Sequence, residues 1–487
     1  MRICVKSMLP FQNTTIYKNT IALIGDLLRF CEDKKTSAVF LNNIQEEALN
    51  LVKNLAKALA KDDNEERQEF LKLTRENIYG LISLVEVAKK ELGDGQEMKI
   101  ILQRLIQLQQ EFNNFQKKKR ILILTSAYGQ GHMSAAKAIK QGIEKKYGHD
   151  FLIEVIDFGK VLNASFDKVT AKVYEGSTKF TPSIYKLFFD GTDAKWQIKL
   201  LNMLNYPFSA SKLTKFFKDH DPDLIVSTFP TWDWIAVHIW KKHNPGAKFL
   251  SIVTDSISIH NVWVAANTDY HIVPNLDTAL VLKKLGVEES KIKTLGFPVQ
   301  LGFTEEINRE AFLKKLNLDP KKFTILFLPT AQRQRTNRKI MKELLDSQPN
   351  ANIVVITGRD EAAKLAFEKF AEEKNVKIIG WTDEMANFIK VADIVMTKAG
   401  GATVMECLAA EKPLIITSVI EGQEEGNAEL IKKYQLGVVP ESANMTIPES
   451  IDFVKKHMPA FKKSLKKISN PEASVKIASF INELITE

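Results

Sequence analysis

Short, almost unbroken apolar runs after residue 119 constrain this chain more than any other feature. They form two series: 121–124, 151–156, 224–227, 249–253 and 270–273, then 324–328, 353–356, 376–379, 394–396 and 414–417. Helix-length stretches separate them. A strand that is apolar on both faces needs cover on both, which helices flanking a parallel sheet provide. Two series therefore predict two doubly wound α/β domains, dividing near Gly296-Phe297-Pro298 and facing a cleft. In open sheets of this kind ligands bind beyond the carboxyl ends of the strands, so function is sought in the strand-to-helix loops.

The first part of the chain follows a different period. Ile44, Ala48, Leu51, Leu55 and Leu59 recur at three- and four-residue spacing, as do Ile78, Leu81, Val85, Ala88 and Leu92, and then Met98, Ile101, Leu105, Leu108, Phe112 and Phe115. This is helical patterning, broken at 62–64 and 93–95, and it predicts a helical hairpin or small bundle. The basic run Lys117-Lys118-Lys119-Arg120 marks its end. The expected organisation is a helical region over 1–118, one α/β domain over 119–300 and a second over 301–487.

Of the net charge of +9, +6 falls within 119–300. Such an excess suits an anionic membrane surface or an acidic ligand, and also an ordinary solvated surface; no nucleic-acid-binding motif accompanies it. Three widely spaced cysteines, Cys4, Cys31 and Cys407, make neither a disulfide framework nor a zinc site. No window of about 18 apolar residues spans a bilayer, and the first 15 residues hold no sustained apolar run of a secretory signal, so a cytoplasmic protein is expected.

Four segments carry candidate chemistry. Ser126-Ala127-Tyr128-Gly129-Gln130-Gly131-His132 follows the first strand and opens a helix. Its glycines permit close approach to a ligand, and the positive end of the helix disfavours an imidazolium at His132, which makes that residue a candidate base. Thr397-Lys398-Ala399-Gly400-Gly401-Ala402-Thr403 again joins a strand to a helix, where Gly400, Gly401 and Thr403 suit a phosphate and Glu406, a turn along, suits ribose hydroxyls. Gln423, Glu424 and Asn427 gather amide and carboxylate groups suited to a polyhydroxyl sugar. Asp255, His260 and Trp263 end the fourth strand, with no further ligand to make a metal site. Asp221-Pro222-Asp223 precedes a strand, the wrong end for a site, and reads as a turn.

Four blocks in this order, TSAYGQGHMSAAKAI, VTDSISIHNVWVAANTDYHIVPNLDTALVLKKLGVEESKIKTLGFPV, TKAGGATVMECLAAEKPLII and EGQEEGNAEL, resemble the monogalactosyldiacylglycerol synthase and processive diacylglycerol glucosyltransferase family, of glycosyltransferase family 28. The resemblance covers about 120–440. It implies a GT-B fold: two Rossmann-like domains, with acceptor on the first and UDP-sugar on the second. It implies inverting transfer of a hexose from a UDP-sugar to diacylglycerol or a related lipid, without a cofactor or metal, at the inner face of the cell membrane.

By the same resemblance His132 is the catalytic base. Gly129, Gly131, Arg333, Lys398, Gly400, Gly401, Thr403, Glu406, Gln423, Glu424 and Asn427 are donor-binding. Tyr128, Asp255, His260 and Trp263 lie on the acceptor side. Two departures stand out. The turn Leu328-Pro329-Thr330-Ala331-Gln332-Arg333-Gln334-Arg335 has no glycine where the family has several, leaving Arg333, Arg335 or Arg338 to meet phosphates, and Phe229 stands where members often have histidine. The alternatives are an N-acetylglucosaminyltransferase acting on a lipid-linked or lipopolysaccharide acceptor, a UDP-sugar 2-epimerase, and an inactive nucleotide-sugar-binding protein. Region 1–118 lies outside the resemblance and is a candidate for membrane docking, self-association or a partner.

Overall fold

A computed structural model of the chain describes residues 15–33, 37–60, 64–92, 95–116, 119–126, 130–148, 150–161, 195–330, 333–420, 422 and 424–486. The chain divides into two compact units, one of residues 1–119 with 147–150 and one of 120–146 with 151–487.

In the first unit α1 (Thr15–Asp33), α2 (Ala38–Ala60), α3 (Asn64–Leu92) and α4 (Gln96–Gln116) each pack on two neighbours, α4 closing back on α1. Short connections make successive helices antiparallel, so this is a four-helix bundle. The apolar stripes fill its centre: Leu27, Ile44, Leu51, Leu55, Ile78, Leu81, Leu105 and Phe112 are buried. Polar pins set the helix heights. Asn77 Nδ2 donates to Glu47 Oε2 at 2.7 Å and Asn54 Nδ2 to Asn77 Oδ1 at 3.0 Å, while Arg104 reaches Asp26 at 2.6 Å.

The second unit holds two six-stranded sheets. The first is built from β1 (Lys119–Thr125), β2 (Phe151–Asp157), β3 (Leu224–Ser227), β4 (Lys248–Ile252), β5 (Tyr270–Val273) and β6 (Ile292–Thr294), in the order β2-β1-β3-β4-β5-β6. The second contains β7 (Thr324–Phe327), β8 (Asn352–Ile356), β9 (Val376–Ile379), β10 (Ile394–Lys398), β11 (Leu414–Ser418) and β12 (Gly437–Val438), in the order β12-β11-β10-β7-β8-β9. Ladders such as Leu124↔Ser227 and Met396↔Phe327 are parallel. Helices cover the sheets: α5 (Gln130–Tyr147), α6 (Lys195–His220), α7 (Asp233–His243) and α8 (Leu276–Lys284) in the first domain; α9 (Arg309–Lys315), α10 (Gln334–Ser347), α11 (Glu361–Glu368), α12 (Met385–Val391), α13 (Gly401–Ala409), α14 (Glu425–Tyr434), α15 (Ile447–Lys456) and α16 (Met458–Ile468) in the second. Their starts are locally encoded: Asn275 caps α8, Asn308 caps α9, and Thr446 with Glu449 forms a capping box on α15. Buried side chains such as Phe249, Ile325 and Phe327 each contribute about 2 kcal/mol by leaving water.

The last helix, α17 (Ala473–Thr486), expected with 301–487, packs instead on the first domain. Ser474 Oγ donates to the Val299 carbonyl, and Tyr270 meets Phe480 edge-on at 5.1 Å. A Cβ at Gly142 of α5 would fall 2.4 Å from the Ser474 oxygen, so the two helices touch backbone to backbone. Gly296, at φ +102°, turns the outgoing link beneath Asn470 of the returning one. The Asp221–Asp223 segment is a turn with Asp221 at φ +42°, and Asp223 accepts from the Arg120 N–H at 2.8 Å at the amino end of β1. Among the described residues no helix is long and apolar enough to cross a membrane.

Candidate active site

Strand order reverses between β1 and β3 in the first sheet and between β7 and β10 in the second. Loops leaving the carboxyl ends of neighbouring strands diverge there and open a crevice. The histidine loop leaves β1 and the glycine loop leaves β10, so both lie at these points.

His132 sits in the first turn of α5. Its Nδ1 lies 2.8 Å from the Thr228 carbonyl oxygen, which can only accept, so Nδ1 carries the hydrogen and neutral Nε2 keeps its lone pair. Thr254 Oγ1 is 3.0 Å from the same Nδ1. Phe229 packs edge-on against the ring at 4.9 Å, and Trp263 lies 6.4 Å away. Burial holds the imidazole below the usual histidine range, against the opposing pull of Asp255 and the Thr228 carbonyl.

Asp255, His260 and Trp263, expected on the acceptor side, come together. Trp263 Nε1 donates to Asp255 Oδ2 at 2.6 Å, and His260 Nδ1 accepts from the Val262 N–H at 3.1 Å. Burial raises the Asp255 carboxyl, opposed by His132, Trp263 and His260. Their loop is strained. Ser258 N–H donates to the Ser256 carbonyl at 2.7 Å around Ile257, a β-branched residue at φ +61°. The second domain presses on this turn, since a Cβ at Gly426 would fall 2.0 Å from Ser256 O and 2.5 Å from Ser258 N. Ser258 Oγ in turn donates to the Gly422 carbonyl at 3.3 Å.

The two glycine loops also face each other. A Cβ at Gly401 would lie 3.1 Å from Thr254 O, and one at Gly131 would lie 3.4 Å from the Ala402 Cβ. The amino ends of α5 and α13 thus converge, and both direct partial positive charge at the same place. Thr403 is half-buried in the first turn of α13. Glu406, one turn on, is buried and accepts from Ser134 Oγ of the first domain at 3.3 Å; burial pushes its carboxyl up to about 7.

Beside Gly400 the Lys398 ammonium pairs with Glu424, whose other oxygen accepts from the Ile420 N–H at 3.1 Å. Both carboxylate oxygens expected to read sugar hydroxyls are therefore engaged within the chain. Asn427 Nδ2 donates to the Ala399 carbonyl at 2.9 Å, while its buried Oδ1 has no partner. Arg333, Arg335 and Arg338 are exposed around the start of α10. The turn without glycine is held by Asn337, which donates to Thr330 O at 2.7 Å, and by Thr330 Oγ1 against Ser418 Oγ at 3.2 Å. Tyr128, Gly129 and Gln423 lie outside the described residues. Among the described residues no three His, Cys, Asp or Glu side chains gather as a metal site would require.

Sequence reasoning missed Thr228, Thr254, Ser134 and Gly426, none of which carries a spacing signal. Trp381, at the carboxyl end of the edge strand β9, is 48% exposed, with the Arg359 guanidinium 4.1 Å over its ring from the loop after β8.

Two parallel α/β domains with switch-point loops converging on one cleft, and a last helix that returns to the first domain, have the GT-B architecture. Residues 132–299 match the family model of monogalactosyldiacylglycerol (MGDG) synthase, and residues 328–484 match that of the glycosyltransferase family 28 C-terminal domain. The chain belongs to this family. A processive diacylglycerol beta-glucosyltransferase of Bacillus subtilis (strain 168) is 27% identical over 325 residues, 66% of this chain and 83% of that protein. A probable monogalactosyldiacylglycerol synthase 2, chloroplastic, of Oryza sativa subsp. japonica is 26% identical over 383 residues, 75% of this chain and 81% of that one. Among solved structures, that of S. aureus MnaA with UDP aligns with a TM-score of 0.48 at 14% identity, over 76% of this chain and 98% of that one.

Proposed function

We propose that this protein transfers a hexose from a UDP-sugar to diacylglycerol or a related membrane lipid, with inversion, giving a β-glycolipid. The observation that carries the reading is the fixed tautomer of His132, an unprotonated Nε2 held where two helix amino ends converge. In this reading Nε2 takes the proton of the acceptor hydroxyl as its oxygen bonds to the anomeric carbon, and the carbon–phosphate oxygen bond breaks to release UDP. The amino end of α13 and Lys398 meet the charge growing on the leaving diphosphate. Glu406 takes the ribose hydroxyls, and the exposed indole of Trp381 offers a face to the base. Asp255, held by Trp263, lies on the acceptor side and favours proton transfer to His132.

Because those groups meet the leaving charge, the reading assigns no step to a metal, and turnover is expected to persist in excess EDTA; a strict divalent-cation requirement overturns that part. The proposed lipid acceptor and the +6 charge of 119–300 support a peripheral position on the inner face of the cell membrane. Sedimentation with anionic liposomes that is lost at high salt checks this. The functional test is a donor panel of UDP-glucose, UDP-galactose and UDP-N-acetylglucosamine with diacylglycerol liposomes, following UDP and lipid product together. Glycolipid from one donor supports the reading. UDP release without glycolipid removes diacylglycerol as acceptor, and UDP binding without turnover of any donor rejects transfer.

A further inference from the structure

The Lys398–Glu424 pair occupies a place that a donor would need. A Cβ at Gly400 would fall 3.4 Å from Lys398 Cε, 3.6 Å from its Nζ and 3.7 Å from Glu424 Oε1, so the pair lies against the loop that opens α13. The two partners are unequally placed: the Glu424 side chain is 5% exposed and that of Lys398 40%. A carboxylate here sits where the helix start favours an anion, and the ammonium beside it can turn toward the cleft without breaking the fold. The β10–β11 register shifts between Thr397 and Lys398, so that Lys398 pairs with Ser418 and Thr417 is passed over, a local irregularity where the strand gives way to the loop. A second observation is independent of the pair. Asn427 Oδ1, in a residue 4% exposed, has no hydrogen-bond donor, and its Nδ2 is 3.7 Å from the position a Gly401 Cβ would take. A buried acceptor left without a donor marks a place where a ligand hydroxyl or bound water completes the site.

We propose that Glu424 is an internal counter-anion for Lys398 that the donor diphosphate displaces, so that seating the diphosphate frees the Glu424 carboxylate, beside Asn427 Oδ1, to accept the sugar hydroxyls. This rests on the UDP-sugar reading above. The exchange couples the two ends of the donor. UDP alone takes Lys398 and leaves a buried carboxylate short of a partner, whereas UDP-hexose supplies both the anion for Lys398 and the hydroxyl donors for Glu424. A sugar nucleotide is thereby favoured over the UDP product, and product release restores the internal pair.

The test is the affinity for UDP and the kcat/KM for the active UDP-hexose, measured for wild type, Glu424→Gln, Lys398→Met and the double variant. Glutamine retains an oxygen for the Ile420 N–H but no charge to compete for Lys398. Expected are a UDP Kd about tenfold lower in Glu424→Gln and a kcat/KM at least tenfold lower, opposite signs from one substitution. In the Lys398→Met background the gain in UDP affinity disappears, because no ammonium remains to be freed. A Glu424→Gln protein that binds UDP equally well or more weakly than wild type overturns the exchange, since a carboxylate that merely holds the loop would weaken both readouts. Glu424→Ala repeats the measurement should the glutamine variant fold poorly by tryptophan fluorescence. A wild type that does not bind UDP rejects the UDP-sugar reading itself, a result distinct from failure of the exchange.

Discussion

Glu406→Gln is expected to stabilise the ligand-free protein at pH 8 and to leave it almost unchanged at pH 4. The Glu406 carboxyl, 8% exposed, moves from an ordinary value of 4.5 to about 7 on burial, with only Ser134 Oγ opposing the shift. In the unfolded chain the carboxyl ionises near 4.5; in the folded protein it holds its proton until about 7. Between those values the folded state binds more protons than the unfolded state, so stability falls as pH rises. The shift of about 2.5 units corresponds to about 3 kcal/mol, fully lost above pH 7. Glutamine has no proton to lose, and its oxygen still accepts from Ser134. The assay is urea unfolding by tryptophan fluorescence at pH 4 to 8. All six tryptophans, at 196, 232, 234, 240, 263 and 381, lie beyond the helical bundle, so the signal reports on the α/β unit alone. Asp233, whose carboxyl burial also pushes to about 7, contributes equally to both proteins and cancels in the difference. Wild-type and variant curves that stay parallel from pH 4 to 8 refute the reasoning. If Glu406 also takes the donor ribose, the variant gains stability while losing UDP affinity.

Other expectations follow from the same geometry. His132→Ala removes Nε2 but no donor contact, so turnover drops about 10²- to 10⁴-fold while a UDP titration is unchanged. Since burial lowers the His132 pKa below its ordinary 6.5, the acidic limb of kcat/KM falls below that pH; a limb at 6.5 or above contradicts the buried neutral base. Gly426→Ala drives a Cβ to 2.0 Å from Ser256 O and should cost about 3 kcal/mol or more in the same unfolding assay. Gly246→Ala, whose Cβ meets nothing within 4 Å, serves as its control and should stay within about 0.5 kcal/mol of wild type.

The two sheets were legible because their central strands are covered on both faces, and such burial writes itself as unbroken apolar runs. β6 and β12 were not. Ile292–Thr294 is a partly exposed edge and Gly437–Val438 is two residues long, so neither has a run to read. The bundle stripes appeared at the expected period, with Ala58 rather than Leu59 taking the fully buried position in α2. At the site, glycines and a histidine next to a strand end are visible in one dimension. The Thr228 carbonyl that sets the His132 tautomer is 96 residues away, and Ser134 is 272 residues from Glu406. A hydroxyl or carbonyl at a strand end carries no periodicity, so only folding reveals what it touches. Glu424 illustrates the converse: its residue type suits sugar hydroxyls, yet its oxygens are engaged by Lys398 and Ile420.

The return of α17 to the first domain bears on how the protein is made. The first sheet is complete once β6 has emerged, but the surface formed by Gly142, Val299 and Tyr270 awaits residues 473–486. At a synthesis rate of about 5–20 residues per second, the roughly 170 intervening residues take on the order of 10–30 s. Throughout that interval the nascent first domain presents an uncovered apolar face to the cell. Emergence of residues 473–486, rather than of the first domain itself, is therefore the step that closes it, and chains cut short before α17 leave that face open to chaperones and proteases.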